Sequence, residues 1–172
     1  MNMIVRAVLL LALVLCVWPE LGRYRAEWRL AEADARLQRA LRGLDRGALA
    51  LQSVGIAATQ AHGAAEQLPG DARPPLFEGI ALILAGKGAA ALAVLDAAIA
   101  AGERPELTIN LGRARTLLGD ARGADSAYLR TAWASPLAIA TLPAEMRATL
   151  QGRVATLEGD LRAGRLSSVP GG

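Results

Sequence analysis

Six positions of this chain recur 33 residues further on. Gly79 returns as Gly112, Ala81 as Ala114, Leu84 as Leu117, Gly86 as Gly119, Ala91 as Ala124, and Leu95 as the larger Tyr128. A period of that length marks stacked supersecondary units, each too small to bury an apolar face alone. The residue types identify the unit. Small residues at 79, 112, 91 and 124 suit the close crossing of two helices in a hairpin. Gly86 and Gly119 suit the left-handed position that ends a helix. Leu95 and Tyr128 are then expected to fill the gap to the neighbouring unit.

Composition agrees with helices. Hydrophobic residues make up 53% of the chain but aromatic ones only 3%. The apolar fraction is mostly Ala, Leu and Val, and the first two are strong helix formers. No stretch combines β-branched enrichment with alternation of period two, so strands are not expected. The fold class read from the sequence is all-α.

The second copy resembles the tetratricopeptide repeat. Asn110, Leu111 and Gly112, then Gly119 and Asp120, Ala124, Tyr128 and Pro136 fall at that family's spacing. Thr108 stands where the family has Trp or another large residue, and Thr131 where it has Ala. The first copy lacks the final proline and has Phe77 in place of Asn110. The resemblance covers residues 72–136 and implies two antiparallel helix hairpins in a short α-solenoid. It also implies a concave groove, lined by the first helix of each pair, that takes a peptide segment or a partner domain. The residues carried into that groove are Arg73, Phe77 and Ile80, then Asn110, Arg113 and Leu117. Some family members clamp a terminal carboxylate with Lys, Arg and Asn; this chain offers only Asn110 with Arg113.

The segments on either side are read from their own patterns. Residues 7–18 are an unbroken run of 12 apolar residues. With residues 3–5 and a snorkelling Arg6 the run approaches the 17–25 or so residues of a spanning helix. Residues 1–21 are therefore expected to form a transmembrane signal anchor. A cleaved signal peptide would need small residues after the core, and a lipid-anchored Cys16 would need a small residue before it; Leu15 stands there. Residues 22–67 follow as an amphipathic helical hairpin with a break at Gly43–Gly47, a candidate third unit without the motif. On its first helix Ala26, Leu30, Ala33, Leu37, Ala40, Leu41 and Leu44 share one face, and arginines the other. Leu49, Leu51, Val54, Ile56 and Ala57 supply the apolar material of its second helix. Arg25, Trp28, Arg29 and Arg36 are the expected contacts to anionic headgroups.

After Pro136, residues 137–166 are expected to form a capping helix starting at Pro143. Met146, Leu150, Val154, Leu157 and Leu161 would cover the last repeat, and a homodimer through the same stripe is the alternative. Residues 167–172 read as a flexible tail.

Charge excludes some functions. Residues 47–172 hold 11 bases and 11 acids, so the whole net charge of +3 lies before them. A neutral body with few aromatic residues is a poor nucleic-acid surface. One Cys and one His exclude a disulfide within the chain and leave no Cys/His metal set. His62 reads as a helix-end or surface histidine, because nothing around it positions it for catalysis. No paired carboxylates or phosphate loop point to an enzyme. Catalytic residues, a metal, a cofactor and a small-molecule substrate are therefore not expected. The expected function is a membrane-anchored protein–protein interaction module, an accessory or assembly factor of a bacterial envelope complex or envelope enzyme. Its body would lie in the periplasm, and its partner would be a protein of the membrane or envelope. The alternative is a structural subunit held in a membrane complex through its anchor helix.

Overall fold

The computed structural model describes residues 3–165, and every regular element among them is helical. Seven α-helices follow one another: α1 (Met3–Leu41), α2 (Gly47–Ala65), α3 (Arg73–Leu84), α4 (Gly88–Ala101), α5 (Pro105–Leu117), α6 (Ala121–Ala134) and α7 (Ala144–Arg162). A 3-10 turn, Ala138–Thr141, lies between α6 and α7. Each helix packs against the next, and α1, α3 and α5 also touch along one side. The body is thus a row of hairpins with α1, α3 and α5 in one layer and α2, α4 and α6 in the other.

Short local signals set the turns. Gly86 and Gly119 have φ of 71° and 75°, which only glycine adopts without strain. At both, the glycine N–H donates two residues behind the cap and the next N–H donates to the carbonyl before that (Gly86 to Ile83, Lys87 to Leu82; Gly119 to Thr116, Asp120 to Arg115). Both helix ends are therefore the Schellman closure read from the sequence. Pro74 and Pro105 sit in the first turns of α3 and α5, where a missing N–H costs nothing.

The crossings repeat as well. A Cβ on Gly79 would stand 2.7 Å from Leu95, and one on Gly112 would stand 2.5 Å from the Tyr128 ring. Leu95 and Tyr128 thus lie over the glycine of their own hairpin, a contact beyond the one expected. They also reach outward: Leu95 joins Leu107 and Leu111 of α5, and Tyr128 joins Ile139, Leu142 and Leu150. Among the described residues the apolar side chains divide into four clusters along the row: two where α1 and α2 meet α3, one around α4 and α5, and one where α5 and α6 meet the segment after them.

The first hairpin differs from its sequence reading in three respects. α1 runs unbroken for 39 residues, across the boundary drawn between 21 and 22. That boundary is one of burial: the buried residues of α1 begin at Ala26 and continue with Leu30, Ala33 and Leu37, while Leu41 and Leu44 stay exposed. On α2 the buried stripe is Val54, Ala57, Ala61 and Ala64, and Leu49, Leu51 and Ile56 face outward. Close approach of two helices selects small residues, so the alanines took the inside.

Among the described residues no helix is long and apolar enough to cross a membrane. The part of the apolar run whose side chains are described, residues 8–18, is about 16 Å of helix at 1.5 Å per residue, against about 30 Å of hydrocarbon. The expected anchor over residues 1–21 is therefore not carried by the described fold. At the other end, α7 starts at Ala144 with Pro143 before it. Its stripe does less than expected: Leu150 is buried and Val154 half-buried, but Met146 and Leu161 are exposed. Ile139 and Leu142, from the turn before α7, complete the cover. Residues 166–172, which include the whole of the expected tail 167–172, lie outside the described residues.

Candidate functional site

A groove of about 530 Å³ opens between α3, α5 and the segment after α6. It follows from the hairpin stacking. Leu76 and Ile80, four apart on α3, form one wall. Glu106, Ile109, Asn110 and Arg113 of α5 form the floor and the second wall. The third wall is Ser135, Leu137, Ala138 and Thr141. Leu137 is 86% exposed at the rim, the most exposed large apolar side chain of the body.

The polar groups of the floor hold one another. Asn110 is buried; its amide donates to the Glu106 carbonyl at 2.8 Å, and its Oδ1 accepts from Arg113 at 3.0 Å. The Arg113 guanidinium also donates to Thr141 Oγ1 at 2.6 Å, fastening the third wall to α5. Two of its five N–H groups are thereby used, and the others remain for an incoming acceptor. Glu106 supplies a carboxylate on the neighbouring turn. The site is an apolar trough with one cation and one anion at its edges.

Of the six residues expected in a groove, Ile80, Asn110 and Arg113 line it. Phe77 packs instead among α1 and α2 residues, between the clusters around Leu30 and Leu37. Leu117 lies one turn too far along α5, against the start of α4, where a Cβ on Gly88 would stand 3.2 Å from it. Arg73 belongs to another contact: it donates to Glu27 of α1 at 2.7 and 3.1 Å and to Asp71 at 2.6 Å. The Asp71 carboxyl lies below the usual carboxylate range, chiefly because Arg73 hydrogen-bonds to its charged form. The Arg73 guanidinium is held more firmly protonated by Asp71 and then Glu27.

The residues expected at a membrane surface also divide. Arg25, Trp28 and Arg29 are exposed on α1. Arg36 is turned toward α2, donating to Glu32 at 2.6 Å, while Glu32 accepts from Gln60 at 2.7 Å. His62 is an exposed side chain of α2, 3.1 Å from Glu78 of α3. Among the described residues no three His, Cys, Asp or Glu side chains converge in a metal-holding group.

Sequence reasoning missed Leu76, Glu106 and Ile109, which share the faces of residues it named and were reachable by helical spacing. It had no signal for Leu137 and Thr141, since a wall made by a returning irregular segment follows from no periodicity. Compared with protein-family models, curated proteins and solved structures, the chain finds no match.

Proposed function

We propose that this chain is a membrane-tethered, tetratricopeptide-like protein–protein interaction module, an accessory or assembly factor of a bacterial envelope complex or envelope enzyme. The observation that carries the reading is the groove between α3 and α5 with Leu137 exposed at its rim. Exposed apolar rims beside a preformed trough are sites for a partner's apolar anchor. The occupant is a short protein segment with one or two apolar side chains and a carboxylate for Arg113.

The tether is the apolar stem of α1. Its described large apolar side chains between residues 8 and 17 are exposed on every side of the helix. A helix apolar all round suits lipid better than one protein surface. Residues 1–21 lie in the inner membrane as a single pass, at the short end of the usual range, with Arg6 snorkelling and Arg23 and Arg25 reaching headgroups on the body's side. The body lies in the periplasm.

Photo-crosslinking in cells tests the groove. A crosslinker at Ile80 or Leu137 is expected to capture the same protein, one at Asp96 on the outside of α4 is not, and Leu137→Asp is expected to remove the capture. Equal capture at Asp96 rejects the groove. A periplasmic reporter fused after Gly172 is expected to be active; activity of a cytoplasmic one alone rejects the topology. The second reading, a structural subunit held through α1, rests on the exposed stem. It wins if a large complex survives Leu137→Asp and is lost without residues 1–21.

A further inference from the structure

α1 carries an apolar face that none of the described residues covers. Leu10, Val14, Val17, Leu21, Tyr24 and Trp28 follow one another at alternating steps of four and three, all exposed, and the same steps continue to the exposed Ala31 and Ala35. That alternation is the heptad seam of paired helices. At 100° per residue the seam lies on the side of α1 opposite Ala26, Leu30, Ala33 and Leu37, which pack into the hairpin. Neither α2 nor α3 obstructs it. Lipid accounts for its lower part only. Trp28 is about 10 Å along the helix beyond Leu21, where the proposed tether ends, past a headgroup layer about 6–8 Å thick. Yet Trp28 is 63% exposed.

We propose that α1 pairs along this seam with α1 of a second copy, parallel and in register; the parallel sense rests on the tether proposed above, which puts both stems in one bilayer. Charges beside the seam fit that partner. In a parallel pair the residue just before Leu21, Trp28 or Ala35, the seam positions followed by a step of three, faces the one five positions on in the other chain. Glu20, 3.6 Å from Arg23 of its own chain, then meets Arg25, and Asp34 meets Arg39, itself 3.8 Å from Asp45. The remaining match sets Glu27 against Glu32, but Arg73 holds the first, and Arg36 and Gln60 hold the second, within their own chain. The dimer thus forms through α1, and not through the α7 stripe, whose apolar side chains are partly used against α6.

Cysteine crosslinking of the full chain tests this in vesicles of phosphatidylethanolamine and phosphatidylglycerol, with Cys16→Ala as background. Disulfides need Cβ atoms within about 3.5–4.5 Å. Leu21→Cys, Tyr24→Cys and Trp28→Cys are each expected to give at least about fivefold more oxidised dimer than Arg23→Cys or Arg29→Cys, which lie off the seam. Equal yields at all five positions, or a yield at one seam position alone, overturn a parallel in-register pair. Glu20→Lys is expected to lower the Tyr24→Cys yield and Arg25→Glu added to it to restore the yield; no change in either overturns the charge match. Flotation of the vesicles is read in the same samples. A chain that floats without crosslinking overturns the pairing and leaves the tether standing. Crosslinking of a chain that does not float does the reverse.

Discussion

The α3–α4 and α5–α6 hairpins share a backbone plan and differ in how they hold it. Both end their first helix at a left-handed glycine and set a large side chain over a glycine crossing. In the second hairpin, polar ties reinforce that plan. Thr116 Oγ1 lies 3.1 Å from the Tyr128 hydroxyl, Arg115 donates to the Gly123 carbonyl at 3.1 Å, and Asp120 caps α6 by accepting from Gly123 N–H at 2.9 Å. At the corresponding places, 33 residues earlier, the first hairpin has Ile83 with Leu95, Leu82, and an uncapped Lys87. Burial does not explain the difference, because the hairpin with the polar ties is the more buried one: Leu107–Gly112, Ala114, Ala124, Ala127, Tyr128, Thr131 and Ala132 are buried there, against Pro74, Gly79, Ala81, Gly88, Ala91 and Leu95 in the first. What repeats is volume and turn geometry; the chemistry of attachment is free to vary.

Substitutions can break or sharpen that comparison. The largest effect is expected at the crossings. Gly112→Ala drives a methyl into a ring that cannot bend away and should destabilise by about 2 kcal/mol net, even after the helix-propensity gain of about 1 kcal/mol. Gly79→Ala meets a flexible leucine and should cost about 1 kcal/mol less; urea denaturation measures both. Equal losses would mean that the two crossings do not differ in stiffness. Tyr128→Phe removes the tie to Thr116 and should cost about 1 kcal/mol, with no counterpart available at Leu95. Capping comes next. Asp120→Ala is expected to lose about 1 kcal/mol and Lys87→Asp to gain somewhat less, by giving α4 the cap that α6 has. A loss from Lys87→Asp would break the equivalence of the two turns.

The smallest effect concerns the Asp71–Arg73 pair at the start of α3. Asp71 titrates lower in the folded chain than in the unfolded one, mainly through Arg73. Its contribution is therefore fully present above the unfolded carboxylate value near pH 4 and is lost as pH falls through the lower folded value. Solvent reaches the Arg73 side of this pair, so the contribution stays below about 1 kcal/mol. Asp71→Asn should flatten the acid limb of stability against pH by that amount, measured by thermal unfolding between pH 2 and pH 6 or so. An unchanged acid limb would mean that the Asp71–Arg73 pair adds nothing to stability.

Much of the fold was legible because its signals are local. Gly86 and Gly119 act within one turn of chain, and the shift of 33 marks where hairpins begin. Three of the ten residues lining the groove were legible in the same way: Ile80 of α3 and Asn110 and Arg113 of α5. Phe77, Arg73 and Leu117 were misplaced because a helical spacing says which residues share a face and not which neighbour meets it. α2 shows the same limit. Its leucines looked like the core, and its alanines became the core because the crossing with α1 is close.

By itself, then, the sequence determined the helices, their ends, the small residues at the crossings and the apolar stem with its neutral body. Each depends on interactions a few residues apart. Only the tertiary structure decided that α1 continues as one rod from the stem into the first hairpin, leaving a seam on its outer side. It also decided that the segment after Pro136 returns to wall a groove, held by Arg113 to Thr141 across 28 residues. Contacts of that range depend on the angle at which each hairpin stacks on the last, and that angle is set by all the packed side chains together.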